Sequence, residues 1–170
     1  DQVGSSGAFG VVPLMLGTTG FDATAFVRPM RVVGRDGHTL DEEWDPRPNA
    51  YLSISVPDFP NFFMLNGPNG PVGNFSLIGV AERQFDYILQ LVEPLARGEC
   101  AEISARSDAM DAHESARVEA ARNSIWVTGC TSWYLDDRGV PAVWPWTFER
   151  FLDEMSAPRF DAYERRGVRA

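Results

Sequence analysis

The stretch Phe59-Pro-Asn-Phe-Phe-Met-Leu-Asn-Gly-Pro-Asn-Gly-Pro-Val-Gly-Asn-Phe-Ser-Leu-Ile78 decides how the chain is read. Residues 62–65 form a continuous apolar run, as in a strand buried on both faces. Gly67, Pro68, Gly70, Pro71 and Gly73 then bar regular structure. From residue 74 an amphipathic pattern begins, so the stretch predicts strand, glycine-rich turn and helix. Glycines let a backbone approach a ligand closely, and a helix start offers free N–H groups and the positive end of its dipole. The helix is the most strongly patterned element of the chain. Leu77, Ala81, Phe85, Ile88, Val92 and Leu95 recur every three or four residues, with Asn74 or Ser76 as N-cap, Pro94 near the end and Gly98 as the stop.

Outward from this unit the elements are shorter. Residues 11–16 predict a strand bent or edged by Pro13, closed by Thr18-Thr-Gly-Phe-Asp22. Residues 31–34 predict a strand, and Arg35-Asp-Gly-His38 a hairpin turn. Residues 40–44 and 51–56 predict strands on either side of Asp45-Pro-Arg-Pro48. On the C-terminal side, residues 108–122 predict a helix by propensity. Residues 124–130 predict a strand, 132–139 a strand end and turn, 143–146 an aromatic edge, and 147–155 a short helix capped by Thr147. The implied class is α+β, with one domain over residues 11–155, a flexible Gly/Ser lead-in at 1–10 and a polar tail at 156–170.

With 170 residues, 44% of them apolar, the chain can bury one core. A net charge of -9 argues against nucleic acid and against an anionic membrane surface. No apolar run approaches the roughly 20 residues a spanning helix needs, so a cytoplasmic location is expected. All fifteen basic residues are Arg, which excludes lysine Schiff-base chemistry. Cys100 and Cys130 make neither a disulfide framework nor a metal set. His38 falls in a turn and His113 on a polar helix face, neither with a ligand partner at metal spacing. The acidic pairs Glu42-Glu43 and Asp136-Asp137 read as solvated turns. Trp126, Trp133, Tyr134, Trp144 and Trp146 read as packing for the C-terminal segment, with an apolar substrate wall as the alternative. No serine elbow, Walker loop or Gly-x-Gly-x-x-Gly turn occurs.

Three segments carry a resemblance. Thr18-Thr-Gly-Phe-Asp22, Phe59 to Pro68, and Trp126-x-x-x-Cys-x-Ser-Trp-Tyr134 with Asp137-x-Gly139 resemble, in order and spacing, the C-terminal portion of class B flavoprotein monooxygenases. That group holds the flavin-containing and the Baeyer–Villiger monooxygenases, and the tryptophan segment is similar to the bacterial Baeyer–Villiger branch. The resemblance implies a fragment of a larger α/β FAD/NAD(P)-binding fold. FAD and NADPH would serve the complete enzyme, which oxygenates a ketone or a heteroatom compound. Carried over by position, Thr19 and Gly20 lie at a domain crossing near FAD, and residues 67–73 form a wall beside the isoalloxazine. Val72, Gly73 and Asn74 face flavin and substrate, and the helix start at Phe75 to Leu77 supports the pyrimidine edge. The cofactor set is therefore Thr19, Gly20, Gly67, Val72, Gly73, Asn74 and Phe75, and the substrate set Val72, Asn74 and Leu77.

No catalytic residue and no metal ligand is assigned. The phosphate-cradling turns are not in this sequence, so the chain alone is expected to bind neither cofactor and to be inactive. Its expected partners are N-terminal FAD and NADPH domains, or a second copy meeting it through an exposed apolar face. A non-catalytic interaction module is the alternative reading.

Overall fold

The computed structural model describes residues 26–27, 29–73, 75–124 and 134–167. Among them are four α-helices and one two-stranded sheet: α1 (Leu40–Glu43), α2 (Leu77–Ala96), β1 (Glu102–Ala105), α3 (Ser107–Arg122), α4 (Phe148–Glu154) and β2 (Tyr163–Arg166). The strands pair antiparallel with Glu102 opposite Arg166 and Ala105 opposite Tyr163. The class is α+β, as the sequence pattern implies.

α2 is the axis of the structure. The Ser76 hydroxyl accepts from the Gly79 N–H and caps its start. Its end is a Schellman turn: Gly98, at φ 73°, donates to the Leu95 carbonyl at 3.1 Å, and Glu99 donates to the Pro94 carbonyl at 2.9 Å. Pro94 stays inside the helix. The buried stripe differs from the expected one. Val80, Gln84, Tyr87, Leu91 and Pro94 face the core, whereas Leu77 and Phe85 are exposed. α2 carries apolar residues on more than one face, so periodicity alone does not select the inward one.

The larger core joins α2 to the sheet and α4 through Tyr87, Leu91, Ile103, Phe151 and Tyr163, with Tyr51, Leu52 and Ile54 from the preceding loops. A smaller cluster packs Leu40, Trp44, Val56, Phe59 and Met64 together. The Arg35 guanidinium ties the two halves, donating to Asp58 at 3.2 Å, Glu164 at 2.8 Å and Glu102 at 2.7 Å. Asn61 extends β1 without being a strand. Its N–H donates to the Ile103 carbonyl at 2.8 Å, and its side chain exchanges bonds with Ala101 and Ile103, each at 3.0 Å.

Several predicted strands are not strands. Residues 62–65 make only an isolated bridge, Phe63 to Ser55, because left-handed Asn61 (φ 61°) and Asn66 (φ 51°) close the run at both ends. Of that run only Met64 is buried, and Leu65 is exposed. Residues 51–56 coil into turns through left-handed Leu52 and Ser53. Residues 40–44 are helical instead, because Thr39 and Glu42 form a capping box. The Arg35–His38 turn does form, with Val33 bridged to Thr39, although residues 31–34 make no longer ladder. Residues 134–146 hold one bridge, Leu135 to Pro141, rather than aromatic-rich strands. The predicted strands at 11–16 and 124–130 lie outside the described residues. The helices predicted at 108–122 and 147–155 are α3 and α4, the second capped by Thr147 as expected. β2 lies in a segment to which the sequence reading gave no element.

Candidate functional site

The glycine-rich run divides into a locked half and an open half. The locked half, residues 67–71, is buried and seated on the turn at residues 51–55. A Cβ on Gly67 would sit 2.4 Å from the Ser53 carbonyl oxygen, and one on Gly70 would sit 3.0 Å from the Ser53 hydroxyl. Only glycine lets these two pieces of backbone meet. The Ser53 hydroxyl donates to the Pro68 carbonyl at 2.6 Å. The Asn69 amide donates to Asn49 Oδ1 at 3.1 Å, and the Trp144 N–H donates to the Gly70 carbonyl at 3.1 Å. Asn66 joins the run to α2, its N–H donating to Gln84 Oε1 at 2.7 Å and its Nδ2 donating to the Leu77 carbonyl at 3.2 Å.

The open half begins at Val72, which is half-buried, and continues through exposed Gly73. Gly73 has φ 93°, and a Cβ there would find the Tyr134 hydroxyl at 3.8 Å, an ordinary contact. Phe75 is half-buried and stacks on Phe148 of α4, with ring centroids 4.8 Å apart and planes at 18°. Phe148 stacks in turn on buried Phe151. The first turn of α2 carries no acidic side chain. Its N–H groups and positive dipole end are therefore uncompensated by a carboxylate of that turn, the electrostatics an anionic or electron-rich group favours. Of the predicted site residues, Gly67 lies in the locked half of the glycine-rich arm, Val72 and Gly73 in its open half, and Phe75 and Leu77 at the start of α2. Thr19, Gly20 and Asn74 lie outside the described residues. Among the described residues no cluster of metal-ligating side chains occurs, and no helix is long and apolar enough to cross a membrane.

Other sequence readings need correction. His113 is not on a solvated face. Its ring packs 5.6 Å from Tyr51, 6.0 Å from Trp144 and 5.7 Å from Trp146. Burial there pushes its pKa down to about 4, with Arg117 and Arg150 adding to the effect and Glu114 opposing it. His38 does sit in an exposed turn, 3.0 Å from Glu43. The acidic pairs are engaged rather than merely solvated. Burial alone would raise the Asp136 pKa, but Arg138 and the Val140 N–H hold it below the usual carboxylate range. Asp137 pairs with Arg47 at 2.8 Å. Together with buried Arg117, which binds Glu114 and donates to the Pro141 carbonyl at 2.6 Å, these pairs fasten residues 134–141 to α3 and to the proline-rich connection. Trp144 and Trp146 pack into the core region, as the packing reading expects, and Trp126 and Trp133 lie outside the described residues. Sequence reasoning missed the bracing of the arm by Ser53, Asn69 and Phe148. Each acts across a long sequence separation and leaves no local motif.

No protein-family signature matches the chain. Individual relatives do. An uncharacterized monooxygenase of Mycobacterium tuberculosis is 39% identical over 171 residues, covering 99% of this chain and 34% of its own length. The FAD-binding monooxygenase tazF of Aspergillus terreus is 33% identical over 151 residues, covering 84% of this chain and 27% of its own length. Among solved structures, the closed form of a cyclohexanone monooxygenase superposes with TM-score 0.74 at 26% identity, over 89% of this chain and 30% of that one. A steroid monooxygenase bound to NADP gives TM-score 0.70 at 26% identity, over 80% and 26%. Over nearly its whole length the chain is thus similar, in sequence and in fold, to a segment of flavin-dependent monooxygenases. More particularly, it is similar to the C-terminal part of these enzymes, among which the solved structures are cyclohexanone and steroid monooxygenases. It spans about a third of the length of the curated relatives it matches.

Proposed function

We propose that this chain completes the FAD site and part of the substrate pocket of an NADPH- and oxygen-dependent monooxygenase acting on a small ketone or heteroatom compound. The observation that carries the reading is the open arm from Val72 through Gly73 to the acid-free start of α2, standing on a turn whose buried half is rigidly packed. These residues fit one edge of a flavin. Gly73 leaves space for a flat ring to approach, and the helix start favours negative charge at the ring edge. Bound FAD would supply the redox chemistry, with NADPH as its reductant.

The chain's own residues bind and orient. Gly67 fixes the arm by its contact with Ser53. Val72, Asn74 and Leu77 border substrate, Phe75 and the following N–H groups border the flavin, and Thr19 with Gly20 lies at the crossing toward the other domains. No side chain of the chain is assigned to proton transfer. The rest of the site belongs to N-terminal FAD and NADPH domains, and the working compartment is the cytoplasm.

The test uses the complete protein that carries this chain. It is expected to purify yellow and to consume NADPH and oxygen when given a cyclic ketone or a thioether. Val72→Trp is expected to lower kcat/KM for the bulkier substrate while leaving flavin content unchanged. Absence of flavin and of NADPH consumption would overturn the reading. The chain by itself, incubated with FAD, is expected to stay colourless, and stoichiometric flavin binding would overturn the half-site assignment.

A further inference from the structure

The base of the open arm is closed by one small junction. Asn66 Nδ2 donates to the Leu77 carbonyl at 3.2 Å, so the ten residues between them form a loop whose ends are held together. Asn66 stands at φ 51°, and its N–H donates to Gln84 Oε1 at 2.7 Å. Gln84, two turns into α2, is fully buried. These bonds leave one polar atom over on each side chain. Gln84 Nε2 and Asn66 Oδ1 are shielded from solvent and find no hydrogen-bond partner among the described residues. One is a donor and the other an acceptor. Exchanging oxygen and nitrogen in either amide does not pair them. Turning Gln84 would set its NH2 against the Asn66 N–H, and turning Asn66 would set its oxygen against the Leu77 carbonyl. Buried polar atoms in native proteins are partnered by protein or by internal water.

From this we infer that Asn66 and Gln84 bind one internal water molecule, which accepts from Gln84 Nε2 and donates to Asn66 Oδ1. The occupant follows from the enclosure. This chain alone already shields both atoms, so what joins them must be small enough to be enclosed with them. Water is the smallest molecule that both donates and accepts, and two polar partners suffice to hold it. The direct bond and the water together close a ring through both side-chain amides and fix their planes. That clasp sets where the loop stands against α2, and with it where Val72 and Gly73 stand relative to the helix start. On the functional reading proposed above, on which this last step rests, Gln84 is a positioning residue. It acts through Asn66 and the loop, and touches neither flavin nor substrate.

The experiment is a crystal structure of the complete protein that resolves ordered water, together with the structure and assays of Gln84→Met. Methionine keeps the length and unbranched shape of glutamine and removes the amide. In the wild type a density peak is expected within about 3.2 Å of both Gln84 Nε2 and Asn66 Oδ1. In Gln84→Met the peak is expected to vanish. Its kcat/KM, normalised to folded protein, is expected to fall on the order of 10-fold at unchanged flavin content, with NADPH consumed in excess of product. No peak in the wild type, or a protein atom from another part of the polypeptide in its place, overturns the water site. A Gln84→Met protein that makes product at the wild-type rate and yield per NADPH overturns the positioning role. If Gln84→Met does not fold, Asn66→Gly gives the same readout. Glycine suits the left-handed angle and keeps the N–H bonded to Gln84, but removes the acceptor for the water and the bond that closes the loop. Flavin content is measured on the same preparations. A bound water in a protein without flavin would sink the functional reading and leave the clasp standing, whereas an active flavoprotein without the water would do the reverse.

Discussion

Two neighbouring pieces of one glycine-rich run behave in opposite ways. At Gly67 the missing side chain is demanded by protein backbone, the Ser53 carbonyl lying 2.4 Å from where a Cβ would be. At Gly73, six residues on, nothing of the described protein stands closer than 3.8 Å, and what glycine supplies is the backbone angle. The same residue type serves internal packing in one place and open approach in the other. A glycine-rich turn before a helix is therefore a site only where the glycines face outward, and here the half that looks richest in the sequence is the half that is filled.

The largest expected effect comes from breaking the locked half. Gly67→Ala sets a methyl group against a backbone carbonyl that cannot rotate away, and should destabilise the chain by about 3 kcal/mol or more. A shift in the urea midpoint at constant m-value would register it. If Gly67→Ala unfolds at the wild-type midpoint, the locked half is not locked.

Acid should loosen the same half, since the turn that carries Gly67 begins at Tyr51 and His113 packs against the Tyr51 ring. The folded His113 has its pKa pushed down to about 4, below the ordinary value of 6.5, by burial. As pH falls, the unfolded chain takes up the proton first. The stability from keeping this ring neutral is fully present above pH 6.5, declines between about 6.5 and about 4, and is gone below that. The loss amounts to at most roughly 3 kcal/mol. His113→Phe keeps an aromatic ring and removes the proton. Its urea midpoint should change less than the wild type's between pH 7 and pH 4.5, and parallel pH profiles for the two proteins would remove His113 as the cause.

How much of this was legible in the sequence depended on how local the determinants were. α2 and α4 are set by cap residues and helical spacing within a few positions, α3 by the helix propensity of its own residues, and all three lie where the sequence puts them. Residues 51–56 and 62–65 look like strands because Tyr, Ile, Val and Phe favour strands. What decides them is left-handed backbone at Leu52, Ser53, Asn61 and Asn66, and Leu52 gives no warning of it. The resemblance correctly put the chain in the C-terminal part of the monooxygenases, and the glycine arm was visible as a stretch. The partners that hold the arm were not. Ser53 reaches Pro68 across 15 positions, and Phe148 meets Phe75 from a helix far along the chain. The choice between the two faces of α2 was equally hidden, because both are apolar.

The open half has its own support, and removing it should matter more for function than for folding. Phe148→Ala deletes the ring stacked on Phe75 and should lower stability by about 2 kcal/mol, less than Gly67→Ala because Phe148 is only half-buried. In the complete protein the freed Phe75 should let the arm wander. On the proposed function this appears as NADPH consumed without oxygenated product, at unchanged flavin content. Phe148→Tyr keeps the stack and should keep the coupling. If Phe148→Ala lowers stability while product still matches NADPH consumed, Phe148 is a packing residue alone.

The smallest effect on folding should come from Gly73→Ala, and it is the sharpest test of the contrast with Gly67. The methyl group meets the Tyr134 hydroxyl at an ordinary 3.8 Å, so no overlap is created. What remains is a side chain held at φ 93°, a strain of about 1 kcal/mol. For a chain of this length that corresponds to roughly 3 °C in Tm. In the complete protein the same methyl group stands on the face the arm leaves open, so kcat/KM should fall by more than the stability change predicts. Gly67→Ala acts from the buried side, and should lose activity only in step with lost folded protein. Normalising each variant's rate to its folded fraction separates the two cases. If Gly73→Ala proves as destabilising as Gly67→Ala, the arm is packed rather than open. If its normalised rate equals that of the wild type, the open face is not where the flavin or its substrate approaches.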